Sequence, residues 1–362
     1  MQHRLVKILS AWAEKSKWIL DAVCILFCLM MLVPIAGCFA KNSKPGEVIK
    51  TDESIETASN GYSVKNLDFC KVSDNETCRL LSNDLAYNTI AIRVFIYRLP
   101  LSENVNKEIV LLYDLEGKLL SQIDVHDAVG SDKIIVDTAI DASGNLAVFA
   151  RTKDDDKVVH HYLYSFDSEG NLAGDPIELT FGESILPMSF IIGADGKMYF
   201  SEMFYSSRKT GPIYVFDSKG NMLFVTSETH VTGNLYQMGD MIYTGDKTGG
   251  AGGSAKLLPI DTESQNFGDS IDISKVTSSG AIYAGSDGFY LMNIEGIYAI
   301  NLDSEDSKEV ILWKDTDLDL NSKMYDANPA AVISSDKIFL FSSTTTGVDG
   351  ATAVTVSLLT RE

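Results

Sequence analysis

Short apolar segments separated by polar turn residues dominate the chain after residue 60. One unit shows four of them, at residues 189–194, 197–203, 212–217 and 221–226. Within residues 213–216 both alternating sets of positions are apolar, which is typical of a strand that neighbouring sheets cover on both faces. No helical periodicity over a dozen residues occurs after Cys38. The pattern therefore predicts an all-β fold.

Two series of tight-turn signals repeat along the same region. In the first, an Asp ends an apolar segment, and in three of the five copies a Gly follows three residues later: Asp114, Asp167, Asp217, Asp261 and Asp303. In the second, the turn residues are Asp141, Asp195, Asp240, Asp287 and Asp336. Successive copies lie between 42 residues (Asp261 to Asp303) and 54 residues (Asp141 to Asp195) apart, close to the period of propeller blades. Asp and Gly favour tight turns, so two hairpins per repeat predict four strands per repeat.

These repeats predict a β-propeller of six, or at most seven, four-stranded blades in a domain spanning residues 61–362. Six blades can be counted, the last of them from Ala330 to Leu359. The segment from Tyr62 to Leu81 either completes the first blade or supplies an edge strand that closes the ring. Closure is expected because it leaves few sheet edges exposed.

Residues 1–37 have a different pattern, that of a secretory signal peptide. A basic opening precedes an apolar run from Ala22 to Gly37, as in exported proteins. Residues 35–38, Ile-Ala-Gly-Cys, resemble the lipobox of bacterial lipoproteins, and the resemblance implies that Cys38 is diacylated and becomes the mature N-terminus. The alternative is an uncleaved anchor helix, although the run is shorter than the roughly 20 residues of a membrane span. Both place the body on the outer face of the cell membrane, joined by a flexible tether at residues 38–60.

Charge excludes one class of partner. The chain has 50 acidic and 30 basic residues and a formal net charge of −20. Nucleic-acid binding depends on clustered Lys and Arg that neutralise phosphates. The sequence therefore predicts that the protein does not bind nucleic acid.

Two of the five cysteines, Cys70 and Cys78, lie in the predicted body. Turn residues separate them, so a hairpin could bring the two sulfur atoms together, and an oxidising exterior favours a disulfide. Two separate buried thiols are the alternative.

Residues 287–303, 310–319 and 356–361 resemble the propeller of clostridial surface lipoproteins. In that family the propeller precedes an extracellular solute-binding domain of the ABC-importer type. The resemblance implies a role near such an importer. No solute-binding segment follows within the 362 residues, so a fragment and a propeller-only relative both stay open as interpretations.

No motif in the chain predicts a reaction, a cofactor or a metal. The glycine-rich residues 250–255 lie between two predicted strands, whereas a dinucleotide-binding loop leads into a helix. Residues 315–326 contain alternating acidic positions but lack the Gly and the final Glu of a calcium loop. His160 and His161 are adjacent on a predicted strand, so their side chains point to opposite faces. We therefore expect a non-catalytic protein. The alternatives are a propeller enzyme acting on polysaccharide or lactone and an envelope-assembly scaffold.

Strand parity predicts which face of the ring binds a partner. Both tight hairpins of each repeat lie on one face, so longer connections, including residues 151–157 and 204–211, gather on the other, where loops on a rigid scaffold bind ligands. The candidate ligand-binding residues are Phe204, Tyr205, Arg208, Arg151 and His230. The expected partner is a surface protein or a glycan, although Phe204 and Tyr205 could simply end a strand and pack against the next blade.

Overall fold

The computed structural model describes residues 56–57, 61–67, 76–98, 107–156, 158–181, 187–202, 211–227, 230, 232–246, 256–273, 281–293, 296–300, 308–313, 330–345 and 352–361. The predicted signal peptide, Cys38 and most of the predicted tether lie outside these ranges. Within them, no helix has the length and apolar character needed to cross a membrane.

The described chain forms six antiparallel sheets, which we call blades 1 to 6. Two short strands, β1 (Glu56–Thr57) and β2 (Tyr62–Leu67), precede blade 1 in the chain. Blade 1 contains β3 (Glu76–Ala86), β4 (Thr89–Arg98), β5 (Lys107–Asp114) and β6 (Leu119–Asp124). Blade 2 contains β7 (Ile134–Ile140), β8 (Leu146–Lys153), β9 (Val159–Phe166) and β10 (Ile177–Leu179). Blade 3 contains β11 (Pro187–Ile192), β12 (Met198–Glu202), β13 (Ile213–Phe216) and β14 (Met222–Val225).

The remaining sheets complete the set. Blade 4 contains β15 (Thr232–Met238), β16 (Met241–Asp246), β17 (Lys256–Asp261), β18 (Asn266–Phe267) and β19 (Ile271–Asp272). Blade 5 contains β20 (Ala281–Ala284), β21 (Phe289–Asn293), β22 (Gly296–Ile300) and β23 (Lys308–Trp313). Blade 6 contains β24 (Ala330–Ser334), β25 (Lys337–Thr345) and β26 (Thr352–Arg361).

Blade 6 is completed by the N-terminal strand β2, which pairs with β26 from Tyr62↔Arg361 to Leu67↔Val356. The side chains of Ser63 and Thr360 also share a hydrogen bond of 2.6 Å. Of the two roles predicted for the segment from Tyr62 to Leu81, its first part closes the ring, and residues 76–81 begin the inner strand of blade 1. Strand β1 pairs with β2, so the sheet extends into residues predicted as tether.

Six hydrophobic clusters of the described residues hold the blades together, one between each blade and the next. A row of six sheets would have five such interfaces, so the sixth, between blades 6 and 1, shows a closed ring. Strand β13 illustrates the packing. Ile213 and Val215 join the cluster with blade 4, while Tyr214 and Phe216 join the cluster with blade 2. The predicted all-β propeller with strands covered on both faces is confirmed.

The repeated Asp turns close hairpins by capping backbone amides. The Asp167 carboxylate accepts from Glu169 N at 3.0 Å and from Asn171 N at 2.8 Å. The glycine of this turn has two reasons to be present. Gly170 has a φ of 88°, and a Cβ there would lie 3.0 Å from Ile123 on the outer strand of blade 1. Positive φ favours glycine, and a Cβ there would press closely against the side chain of Ile123 in the neighbouring blade.

Two details differ from the sequence-based expectation. A five-residue helix, α1 (Val125–Val129), joins blades 1 and 2 and buries both of its valines; it is too short to produce a periodic pattern. The prediction of a long connection at residues 151–157 is wrong. Residues 151–153 continue β8, and a tight turn follows in which Asp154 N donates to Val158 O at 3.0 Å.

Candidate ligand site in the central channel

A cavity of about 320 Å³ lies on the axis of the ring, where the six inner strands meet. Its lining comes from β3, β7, β11, β15, β20 and β24, with Arg93 of β4. Small-molecule sites in proteins have volumes of about 300–1,000 Å³. The channel is therefore large enough for one small solute, and every blade contributes to it.

Carboxylates from blades 1 and 2 form one wall of the cavity. The Oδ2 atom of Asp84 accepts from Ile140 N at 3.0 Å, and the Oδ2 atom of Asp137 accepts from Phe190 N at 3.0 Å. Each carboxylate therefore also joins its blade to the inner strand of the next.

An ion pair lies behind this wall. Arg93 and Glu108 are both buried, and the Arg93 Nε atom donates to Glu108 Oε1. The other guanidinium nitrogens of Arg93 donate to two main-chain carbonyls of β7, at 2.8 Å to Val136 and 2.6 Å to Ile135. Three acceptors thus fix the position of the only guanidinium in the cavity lining.

Both channel carboxyls hold protons more tightly than ordinary aspartates. Burial, followed by the nearby charge of Asp137, raises the pKa of Asp84 to about 7. Burial also raises the pKa of Asp137 to about 6, against the opposing effect of the Arg93 charge. Near neutral pH the wall therefore carries negative charge that is only partly neutralised by protons.

Tyrosines form the opposite wall. Tyr236 and Tyr283 come from the inner strands of blades 4 and 5, which lie across a six-membered ring from blades 1 and 2. Burial raises the pKa of Tyr236 to about 12 and also raises that of Tyr283, on which Tyr236 acts electrostatically. The lining thus has carboxylates on one side of the cavity and tyrosines on the other.

The buried polar atoms of the lining that have no hydrogen-bond partner among the described residues include Ser82 Oγ and Gln237 Oε1. The Gln237 amide is fixed in orientation because its Nε2 donates to Tyr87 Oη at 2.6 Å and to Gly239 O at 3.1 Å. Oε1 is consequently held as an acceptor. Buried polar atoms normally find partners, so these two atoms require a water or a ligand.

Tyr87 crosses one end of the ring. It belongs to the first hairpin turn of blade 1, yet its hydroxyl donates to Ile192 O of blade 3 at 3.2 Å and accepts from Gln237 of blade 4. Its φ is 48°, a conformation that is unfavourable for a bulky side chain. The contacts offset that strain. The hydrogen bonds of the Tyr87 hydroxyl therefore connect blade 1 with blades 3 and 4 at one end of the channel.

Of the residues predicted to bind a ligand, the two that the structure describes, Arg151 and His230, do not line the channel. Phe204, Tyr205 and Arg208 fall outside the described residues, as do residues 250–255 and 315–326. Arg151 lies within β8, opposite Ile134 and His161. The ring of His230 contacts that of Phe267 at 5.3 Å, and its carbonyl accepts from Gly211 N at 3.0 Å.

The predicted disulfide stays a prediction. Cys78 is buried in the cluster between blades 6 and 1, and Cys70, like the lipid site Cys38, lies outside the described residues. In the described part of the chain, no group of three or more His, Cys, Asp or Glu side chains is arranged to hold a metal ion.

The two adjacent histidines point to opposite faces, as predicted. His161 is buried and stacks on Phe149 with ring centroids 5.7 Å apart. The ring nitrogens of His160 lie 3.0 Å from Glu178 and 3.3 Å from Asp154. These carboxylates raise the pKa of His160 through hydrogen bonds and charge.

Sequence reasoning missed the channel residues. The segment Ile-Ile-Val-Asp-Thr-Ala-Ile at 134–140 places a single acidic residue inside an apolar strand, and this was the available signal. A charged residue is rarely buried without a specific partner. The pattern could have identified Asp137 as a channel residue.

The comparisons with known proteins find similar solved structures at low sequence identity. No protein-family model and no curated protein matches the chain. A protein of unknown function from Dyadobacter fermentans aligns with a TM-score of 0.50 at 9% identity, over 83% of this chain and 99% of that one. The β-propeller domain of the Trilobed protease from Pyrococcus furiosus aligns with a TM-score of 0.41 at 11% identity, over 78% and 82%.

A gluconolactonase from Xanthomonas campestris aligns with a TM-score of 0.38 at 10% identity, over 83% of this chain and 89% of that one. At such low identities the likeness concerns architecture alone. The chain has the fold of a six-bladed β-propeller.

Proposed function

We propose that this protein is a non-catalytic binding module, anchored by a lipid at Cys38 on the outer face of the cell membrane, that captures a small polar solute in its central channel. One observation carries the binding role: a cavity of about 320 Å³ whose buried Ser82 Oγ and Gln237 Oε1 atoms lack partners in the described chain. A solute that supplied those hydrogen bonds would remove their desolvation cost.

The size of the cavity selects among the partners predicted from the sequence. A protein surface cannot enter a space of this volume, whereas a sugar-sized solute can. The resemblance to clostridial lipoproteins supports a role beside an ABC-type importer. In that role the propeller would hold solute near the transporter. A glycan fragment and other small polar solutes are the candidates.

The hydrogen bonds that the two channel carboxylates form between blades support a non-catalytic role. Asp84 and Asp137 each commit one oxygen to a main-chain amide of the next blade. Changing these bonds during a reaction cycle would loosen the contact between blades. The second candidate is hydrolysis of a polysaccharide or lactone, favoured by two carboxyls with pKa values of about 7 and 6 in one cavity, because acid–base catalysis uses such pairs.

The binding role is tested with the full-length protein in detergent. Isothermal titration with monosaccharides, short alcohols and small amines should give saturable binding for at least one compound. Ser82→Ala should weaken that binding by about fivefold, since a hydrogen bond to a ligand contributes about 1 kcal/mol. Ser121→Ala is the matched control, because Ser121 Oγ is likewise buried without a partner but lies on β6, outside the cavity lining.

Failure of all these compounds to bind, or equal binding by Ser82→Ala and Ser121→Ala, would contradict the channel site. Product formation from a glycan or lactone that is lost in Asp137→Asn would favour the enzyme. The anchor is tested separately: Cys38→Ala should move the protein from the membrane to the soluble fraction or leave its signal uncut. Normal processing and membrane retention of that variant would refute lipidation.

A further inference from the structure

Resting on the proposed channel site, we infer that the captured solute is a small organic cation, an ammonium compound that retains N–H donors. Three features of the cavity point to it. The lining carries more negative than positive charge, two tyrosines line it from the blades opposite those of the carboxylates, and the partnerless Gln237 Oε1 atom accepts hydrogen bonds.

The balance of charge is the first step. Asp84 and Asp137 line the cavity from blades 1 and 2, and the one cation of the lining, Arg93, is already paired with Glu108. The lining residues of blades 3, 4, 5 and 6 are all uncharged at neutral pH: Ser189, Phe190 and Ile191; Asn234, Leu235, Tyr236 and Gln237; Ile282, Tyr283 and Ala284; Ala331 and Val332. The Arg93 charge also acts on Asp137, but its ion pair is with Glu108, so among the described residues neither channel carboxylate forms an ion pair with a cation.

Buried charge without a partner is costly, and the molecule has two ways to relieve it. One is protonation, which burial makes easier by raising the pKa of Asp84 to about 7 and that of Asp137 to about 6. The other is a bound cation, which would neutralise the wall without a proton. The net charge of −20 on the chain also raises the local concentration of cations.

The tyrosine wall suits an organic cation better than a neutral sugar. The faces of aromatic rings attract ammonium groups, with a gain of about 0.5–2 kcal/mol when the cation is desolvated. Tyr236 and Tyr283 lie across the ring from the carboxylates, so a cation between the walls would interact with both. Gln237 Oε1, fixed by the Tyr87 hydroxyl and Gly239 O, would accept one N–H bond.

The central test compares two probes of equal size. We expect n-butylammonium to bind the full-length protein at pH 8 at least tenfold more tightly than 1-butanol, its neutral counterpart, and more tightly than glucose. Its affinity should fall as the pH decreases from 8 to 5, because the two carboxyls take up protons in that interval and a protonated carboxyl does not attract a cation. Affinity for 1-butanol should not change with pH.

Two variants remove the charge and keep the contact between blades. Asp84→Asn and Asp137→Asn retain an oxygen that can accept from Ile140 N and Phe190 N, and each should weaken n-butylammonium binding by about tenfold or more while leaving 1-butanol binding unchanged. Asp132→Asn is the control, since Asp132 is exposed and pairs only with the neighbouring Lys133. If a variant fails to fold, two measurements on the wild-type protein still test the inference: the pH dependence of n-butylammonium binding and its affinity relative to 1-butanol.

Three results would overturn the inference. Equal affinity for n-butylammonium and 1-butanol, or tighter binding of glucose, would do so while leaving the proposed function intact. Complete displacement of n-butylammonium by millimolar CaCl₂ but not by NaCl at the same ionic strength would identify a metal ion as the occupant. Absence of binding by every probe would remove the proposed function together with the inference.

Discussion

The central channel and the seam between blades 2 and 3 both bury ionisable side chains, yet only the channel has the features of a binding site. In the seam, His161 is enclosed by Phe149 and Phe181, with ring centroids 5.7 and 5.0 Å away. In the channel, Asp84 and Asp137 border an open cavity. The difference teaches that a shifted pKa is informative about function only where there is room for a ligand.

The two regions also differ in the sign of their response to protons. Burial, followed by the charges of Arg151 and His160, lowers the pKa of His161 to about 4, so the seam holds a neutral imidazole. Burial raises the pKa of both channel carboxyls, so the channel favours protonated acids. Acidification should therefore stabilise one region and destabilise the other.

The largest effect should come from the ion pair behind the channel wall. Arg93→Met leaves Glu108 charged and buried and removes the donors to two carbonyls of β7, so we expect a loss of about 3–5 kcal/mol in the free energy of unfolding. Urea denaturation measures it. The double variant Arg93→Met/Glu108→Leu should recover at least half of the loss; no recovery would show that the pair's charge is not the cause.

The next effect should come from Asp84 and should depend on pH. Folded Asp84 binds its proton more tightly than an unfolded aspartate, so its contribution to stability decreases as the pH rises from about 4 to about 7. Asp84→Asn should therefore increase the free energy of unfolding at pH 7.5 by about 2–4 kcal/mol and have little effect at pH 4. Chemical denaturation at both values tests this; destabilisation at pH 7.5 would contradict it.

His161 should give a smaller effect with the opposite sign. The folded imidazole binds a proton less readily than an unfolded one, so stability decreases as the pH falls below about 6.5 and continues to fall toward about 4. His161→Phe should reduce the stability lost between pH 7 and pH 5 by about 1–2 kcal/mol. His160→Phe, on the opposite face of the strand, is the comparison variant and should not reduce it.

The smallest effect should come from Tyr87. Tyr87→Phe removes the hydroxyl that contacts Ile192 O and Gln237 Nε2, with an expected loss of about 1 kcal/mol. Because Gln237 keeps its bond to Gly239 O, solute affinity should decrease by less than in Ser82→Ala. Thermal unfolding measures the change in stability, and titration measures the change in affinity. A larger loss of affinity than in Ser82→Ala would contradict this expectation and assign Tyr87 a greater part in binding.

The sequence predicted the repeat and its strands because the relevant interactions are local. The turn at Asp167 is fixed by amides two and four residues away, and alternation within residues 213–216 reports burial on both faces. The channel depends on distant residues. Tyr87 and Gln237 are 150 positions apart, and no local pattern shows that six inner strands bring their side chains to one axis. The sequence pattern predicts a loop at Arg151, but strand β8 continues through this residue.

The pairing of β2 with β26 affects the order in which the chain folds. Ser63 and Thr360 are 297 positions apart, so β2 pairs with only the two-residue strand β1 until β26 has been synthesised. Until then, Tyr62, Val64 and Leu67, all buried in the finished ring, are on a strand with one unpaired edge, which is prone to aggregation. Pairing between such distant segments is slow. Closure of blade 6 should therefore be the last and rate-limiting event, and the stage at which a chaperone would have most effect.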